Sequence, residues 1–315
     1  MGLTDKIKGM FGTYVSPELV ERMVKTGESP QLGGVEREIT AYFSDIESFS
    51  AFSELLPPDK LVELMNEYLT ACTDIIFAQS GALDKYIGDA VVGMFGGLTS
   101  LEDHAYRACL ASQLVQTRLE ELKEKWRAEG DKWPEVVGNM RSRIGLNSGM
   151  AIIGNMGSPT RFNFTMMGDN VNLAARMESG AKSYGVLTMV TEVTYRDCVK
   201  HGGDHVVFRN LDKIVVKGRS EPVSVFEVVG LKGQVEDRTL ECIDIYAEGL
   251  ARYQAMDWDG AEGCFRQSVA LEQNQPGVTP GAVTNPSLVM LSRCQKLRVH
   301  APETGWNGVY VMKEK

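Results

Sequence analysis

Residues 82–97 read ALDKYIGDAVVGMFGG, two apolar runs that meet at the dipeptide Gly88-Asp89. Two residues between such runs, with glycine first, match a type II′ hairpin turn, so the stretch predicts two adjacent antiparallel strands with Asp89 at the tip. Upstream, EITAYFSDI (38–46) predicts a strand ending in Asp45 and Ile46. Between them, PPDKLVELMNEYLTACTDIIFAQSG (57–81) predicts a helix with Leu61, Leu64, Met65 and Leu69 on one face. Downstream, a second helix is expected over 104–127. In SRIGLNSGMAIIGNMG (142–157), Asn147, Ser148 and Gly149 are expected at the turn of a second hairpin.

Two strand-helix-hairpin runs in succession predict an α+β fold with a ferredoxin-like sheet core, spanning 38–230. Residues 1–37 form an expected connector, with a short helix from Pro17 capped by Ser16. A polar linker, LKGQVEDR (231–238), leads to a helical region over 239–315. Its segment 240–273 reads as two antiparallel helices and resembles one tetratricopeptide repeat, with Ala261 and Phe265 at the expected spacing. A lone copy lacks the neighbours that bury such a core, so a helical hairpin docked on the preceding domain is the simpler expectation and a partner-binding module the other. QPGVTPGAVTNP (275–286) is a loop by its Pro and Gly content.

Composition narrows the function. The 315 residues are 43% hydrophobic, enough for a sizeable core, and 33 Lys and Arg against 42 Asp and Glu give a formal charge of -9. That balance argues against a nucleic-acid partner, and it requires any polyphosphate ligand to be held by local cations or bound metal. Six cysteines lie far apart with no C-x-x-C pair, which together with the lack of a secretory leader predicts reduced thiols and a cytoplasmic setting. No run approaches the roughly 18 apolar residues of a spanning helix. Lys6 stands where a myristoylation signal wants Ser or Thr.

Two constellations carry chemistry. Asp45 ends one strand and Asp89 caps the neighbouring hairpin, so an antiparallel sheet would bring the carboxylates together. Such a pair suits Mg²⁺ alongside substrate phosphates, and two such ions roughly 3.5 to 4 Å apart serve in-line displacement. Taken alone, each Asp reads first as a turn or cap residue at a strand end, and the pairing needs support from elsewhere in the chain. In MMGDNVNLAARMESGAK (166–182), Asp169 or Asn170 is expected to cap a helix that carries Asn172 and Arg176 four apart on one face. The guanidinium fork suits phosphate oxygens, although a capping Asn and a surface Arg give the same letters. None of the four histidines lies in these segments.

FSDIESFSAFSE (43–54), DKYIGDAVVGMFG (84–96), RIGLNSGMAIIGNMG (143–157) and FTMMGDNVNLAARMES (164–179) closely resemble, in order and spacing, the signature segments of class III nucleotidyl cyclases. Four ordered motifs are far more specific than one glycine-rich loop. The resemblance implies an adenylate cyclase that makes cyclic AMP and pyrophosphate from ATP. It implies two Mg²⁺ (or Mn²⁺) per site at Asp45, Ile46 and Asp89, with Asn172 orienting the ribose and Arg176 stabilising phosphate charge. It further implies that Lys217, in VVKGRSEPV (215–223), meets the triphosphate and that Lys85 and Thr165 read the base. Guanylate cyclases of the family place an acidic residue and often Cys at the last two positions, so ATP is expected over GTP. A guanylate cyclase or a silent nucleotide-binding scaffold are the competing expectations.

In that family one protomer supplies the aspartates and the other the remaining groups, which implies a symmetric homodimer. Related bacterial cyclases often carry a YVSP segment before the domain, as at Tyr14, and a Trp-Asn-Gly stretch after it, as at Trp306 to Gly308. In those proteins a membrane-bound sensor lies upstream, so such a region is expected here. Thr165 also resembles the bacterial subgroup often stimulated by bicarbonate. Activity measured with and without bicarbonate at fixed pH is expected to rise with it.

Overall fold

The computed structural model describes residues 31–216, 220–303 and 305–311; the expected helix at Ser16 and Pro17 and the side chain of Lys217 lie outside the described residues. Strand β1 (Gly33–Ile46) runs through the middle of the sheet because it is apolar on both faces. Tyr42 and Ile46 enter one core while Ile39, Ala41 and Phe43 join another, the period-two alternation of a strand covered on both sides. The chain continues through α1 (Phe49–Ser53), α2 (Pro58–Ala78), β2 (Gly81–Ile87), β3 (Ala90–Phe95), α3 (His104–Ala128), the single turn α4 (Glu135–Gly138) and β4 (Ser142–Ser158). Leu64, Tyr68, Cys72 and Ile76 form the buried line of α2, in four-residue steps along one helix face.

These strands lie in the order β2-β3-β1-β4, each antiparallel to its neighbour, which is the expected ferredoxin-like core. The first hairpin is as expected. Gly88 takes φ +64 between β2 and β3, while Asp89 is not among the residues of positive φ, the asymmetry of a type II′ turn.

The second hairpin is not where the sequence suggested. Asn147, Ser148 and Gly149 make no turn; β4 runs straight through them, in unbroken register with β1 from Ser142 opposite Ile46 to Asn155 opposite Gly33. Their polar side chains are buried and satisfied within the fold. The Ser148 hydroxyl meets Thr40 Oγ1 at 2.7 Å, and Asn147 Oδ1 accepts from Thr191 Oγ1 at 2.7 Å. Buried hydrogen-bonding partners, absent from any local reading, make turn-forming residue types acceptable inside a strand. The hairpin comes later, between β4 and β5 (Arg161–Met167), with Ser158 opposite Arg161.

Helix α5 (Asp169–Tyr184) covers the second face of β4. It lies so close that a Cβ on Gly145 would fall 2.0 Å from the Glu178 backbone nitrogen, so only glycine permits this approach. The sheet then extends through β6 (Thr188–Thr191), which is followed by α6 (Glu192–Lys200), to β8 (Val223–Leu231), β7 (Val206–Val215) and β9 (Tyr310–Val311).

The C-terminal part holds α7 (Asp237–Gln254) and α8 (Trp258–Val269), the two expected antiparallel helices, and a third, α9 (Pro286–Val299). Their shared core includes Tyr246, Tyr253, Phe265 and Met290. The hairpin is docked on the sheet by buried polar links. Arg209 of β7 bonds Glu227 of β8 at 2.8 Å and Glu272, just after α8, at 2.8 Å; the Tyr246 hydroxyl donates to the Leu211 carbonyl at 2.7 Å. Asp212 accepts from Tyr184 at 2.7 Å and pairs with Arg293 of α9. Sheet and third helix thus supply the cover that one isolated repeat would lack. No helix among the described residues is long and apolar enough to cross a membrane.

Removing one partner of a buried ion pair leaves an uncompensated charge, at a cost of about 3–5 kcal/mol, whereas an exposed pair contributes under about 1 kcal/mol. Arg209→Ala, which strands buried Glu227 and Glu272, is therefore expected to lower unfolding free energy several-fold more than Arg118→Ala at the exposed pair with Glu121. Urea denaturation of the two variants checks this.

Candidate active site

The register of β1 against β4 sets Asp45 directly opposite Arg143, and the hairpin returns Asp89 to the same strand end. Asp89 Oδ2 accepts from the Ile46 backbone N–H at 2.9 Å. Ile46 has an apolar, buried side chain, so its carbonyl is the only group it can offer a ligand. Burial and the neighbouring charges of Asp89 and Glu178 push the Asp45 carboxyl up to about 7, with Arg143 acting in the opposite direction.

Arg143 holds this corner together. Its guanidinium reaches Asp45 at 3.2 Å, Glu47 at 3.2 Å and Glu178 of α5 at 3.0 Å, while Arg141 pairs with Glu47 at 2.9 Å. Four carboxylates gathered around two guanidiniums leave an excess of negative charge at a half-exposed strand end. Two carboxylates forced together against their repulsion fit a divalent cation. Among the described residues no group of three or more His, Cys, Asp and Glu forms a closed metal cage. The Asp45 and Asp89 pair itself suits Mg²⁺, which keeps waters and takes phosphate oxygens beside one or two carboxylates. Arg143, Glu47 and Glu178 escaped the sequence reading; a strand pairing of 38–46 with 142–150 would have exposed Arg143 as the residue facing Asp45.

The second constellation lies on α5. Gly168, rather than the expected Asp169 or Asn170, takes the N-cap position of this helix. Asn170 is turned instead to the sheet, donating to the Met150 carbonyl at 3.0 Å and accepting from Asn147 Nδ2 at 3.3 Å. Asn172 then sits in the first turn with its side chain exposed, and Arg176 follows one turn later. Arg176 Nη1 is buried without a hydrogen-bond partner, an expensive condition unless a ligand oxygen completes it. Glu178, which faces the Asp45 corner, is two positions from Arg176, a rotation of about 200° on a helix. Arg176 therefore faces away from the aspartates of its own chain.

The third group is Lys85 with Thr165. Lys85 Nζ donates to Thr165 Oγ1 at 3.1 Å, across the 80 positions that separate them. A β-bulge makes the contact: Leu83 is opposite Gly93 and Lys85 opposite Val92, so Asp84 is the extra residue. Asp84 was not singled out from the sequence, yet its carboxylate accepts from the Thr165 hydroxyl at 2.7 Å. The histidines lie elsewhere: His104, for example, is buried against Thr40 at 2.7 Å.

A family described as adenylate and guanylate cyclase catalytic domain matches residues 35–230. Adenylate cyclase 1 of Rhizobium meliloti is 33% identical over 221 residues, 70% of this chain and 32% of that protein. The chain spans less than half the length of the curated relatives it matches first. Among solved structures, the adenylyl cyclase CyaB from P. aeruginosa superposes with a TM-score of 0.57 at 30% identity, covering 65% of this chain and all of that one. The guanylyl cyclase Cya2 superposes with a TM-score of 0.56 at 29% identity, covering 65% of this chain and 98% of that one.

Because folding raises the Asp45 carboxyl above its usual value near 4, the stability it contributes is fully present at low pH and is lost as pH climbs through about 7. In chelator, Asp45→Asn is therefore expected to gain melting temperature relative to the parent between pH 5 and pH 8. With solvent screening discounted the gain is about 1 kcal/mol, or about 2 °C. Thermal melts at the two pH values read it.

Proposed function

This chain belongs to the adenylate and guanylate cyclase catalytic-domain family, and from that premise we propose that it is an adenylate cyclase acting as a homodimer with shared sites. The observation that carries the reading is the Asp45 and Asp89 pair, gathered at one strand end of a family domain whose chemistry is nucleotide cyclisation. In the reaction the ribose 3′-oxygen bonds to the α-phosphorus, the bond from that phosphorus to the pyrophosphate oxygen breaks, and the hydroxyl proton passes to solvent. Asp45, Asp89 and the Ile46 carbonyl would hold two Mg²⁺ or Mn²⁺ ions per site, which would supply charge neutralisation and a more acidic hydroxyl.

The residues of the chain do the rest. Arg143 keeps Asp45 aimed and opposes the upward shift of its carboxyl. The Arg176 guanidinium, with a nitrogen awaiting an acceptor, takes charge on the phosphates, and Asn172 on the same helix face orients the ribose. Lys217 completes the triphosphate contacts. Lys85 donates to adenine N1 and Thr165 meets the 6-amino group, which favours ATP over GTP; similarity alone does not separate the two, since both kinds of cyclase superpose on the chain.

Sharing between protomers is supported by the orientation of α5, which turns Arg176 away from its own Asp45. Met150, Ile152 and Met167 are about half exposed on adjacent strands, with Ile152 opposite Met167, an apolar strip suited to a second copy. We place this region in the cytoplasm and, by its similarity to bacterial cyclases, under the control of a membrane-bound sensor.

Purified chain given ATP or GTP with Mg²⁺ or Mn²⁺ is expected to make cyclic AMP and little cyclic GMP, and Asp45→Ala or Arg176→Ala to lose at least about 10²-fold in turnover. Mixing those two inactive variants is expected to restore about a quarter of parental activity through random two-fold pairing. No recovery would place each site within one chain, and no cyclic product from a dimeric sample would leave a silent scaffold.

A further inference from the structure

Next to the base-reading pair the mechanism leaves a buried carboxylate unused. The Asp84 side chain is 2% exposed and sits beside the base-reading pair rather than the metal corner. Its surroundings determine the direction of a proton. A carboxylate only accepts, so the 2.7 Å contact from Thr165 Oγ1 to Asp84 Oδ2 commits the single hydroxyl hydrogen of Thr165 to Asp84. The Lys85 ammonium only donates, and at 3.1 Å it occupies one lone pair of the same oxygen. What Thr165 has left is one lone pair. Burial raises the Asp84 carboxyl above its ordinary value, while the Thr165 hydroxyl and the Lys85 nitrogen, 3.5 Å from Asp84 Oδ1, act in the opposite direction; the ammonium still has a donor to spare.

We infer that Asp84 is a specificity-determining residue: by holding the Thr165 hydroxyl hydrogen, it makes Thr165 an obligate acceptor toward the purine 6-position. The inference rests on the proposed adenylate cyclase reading, in which Lys85 faces N1. Adenine then matches twice, its N1 accepting from Lys85 and its amino group donating to Thr165. Guanine fails twice, because N1–H meets an ammonium and O6 meets a lone pair. A hydroxyl free to turn would relieve the second mismatch by donating to O6, and discrimination would fall. Sites that leave buried polar groups unpaired with the wrong ligand discriminate more strongly than apolar pockets do. The bulge is the structural device: it inserts Asp84 beside Lys85 so that both reach Thr165.

The test compares the parent with Asp84→Asn, which preserves shape and frees the hydroxyl because the amide can donate. The ratio of kcat/KM for ATP over GTP is expected to fall about tenfold or more, as one hydrogen-bond mismatch is relieved. Displacement of a fluorescent ATP analogue by each nucleotide reads the same ratio without turnover. In a Thr165→Val background, which has no hydroxyl to orient, adding Asp84→Asn is expected to leave the ratio unchanged; a merely structural role for Asp84 would act alike in both backgrounds. An arm on unmutated protein guards against misfolding of the variant. There, purine riboside triphosphate, with hydrogen at position 6, is expected to bind better than its 6-methoxy analogue, which offers an acceptor at that position and the same N1. An unchanged ratio in Asp84→Asn, or preference for the methoxy analogue, overturns the inference while leaving cyclase activity standing. Parent protein that binds neither ATP nor GTP overturns both.

Discussion

A guanidinium between three carboxylates is the interaction on which the rest of this molecule depends. Arg143, almost fully buried on β4, ties the strand end of β1 through Asp45 and Glu47 to the underlying helix α5 through Glu178. Without it, Asp45 and Asp89 would repel each other across a strand end already short of water. With it, the carboxylates stay together but incompletely neutralised, the condition in which a dication and its phosphates are welcome. Buried charge of this kind contributes little net stability, so its value lies in where it holds the acids rather than in folding energy.

The same helix serves both ends of the chemistry. Gly145 lets α5 lie against β4, and the angular step of a helix then divides its residues: Glu178 turns toward the acids, Asn172 and Arg176 away from them. At its far end Tyr184 donates to Asp212, which Arg293 of α9 also engages. The C-terminal helices are thus attached to α5 and to β7. A displacement of those helices would therefore be transmitted to α5 and β7.

Much of this was legible in residue order. The Gly88-Asp89 turn, the two-faced β1 and the long helices follow from local chemistry and periodicity, and they suffice for the ferredoxin-like order of strands. Asp45, Asp89, Asn172 and Arg176 could be singled out because their types and spacing suit phosphate chemistry. The misreadings came where distant partners overrule local preference. Asn147 and Ser148 look like a turn but are satisfied by Thr191 and Thr40, and the α5 cap falls to Gly168 because Asn170 is drawn to the sheet. The third helix α9 begins at a Pro286 that read only as the end of a loop.

By itself, then, the sequence determined the elements, their types and the chemical letters of the site, because propensity, turn geometry and hydrophobic period act over a few neighbouring residues. Only the tertiary structure decided which letters meet. Arg143 faces Asp45 through a strand register of 98 positions' separation, and Asp84 reaches Thr165 across 81, aided by a bulge that no local pattern announces. Contacts of that range are set by how whole strands align and twist, and a shift of one residue would send each of these side chains to the opposite face of the sheet.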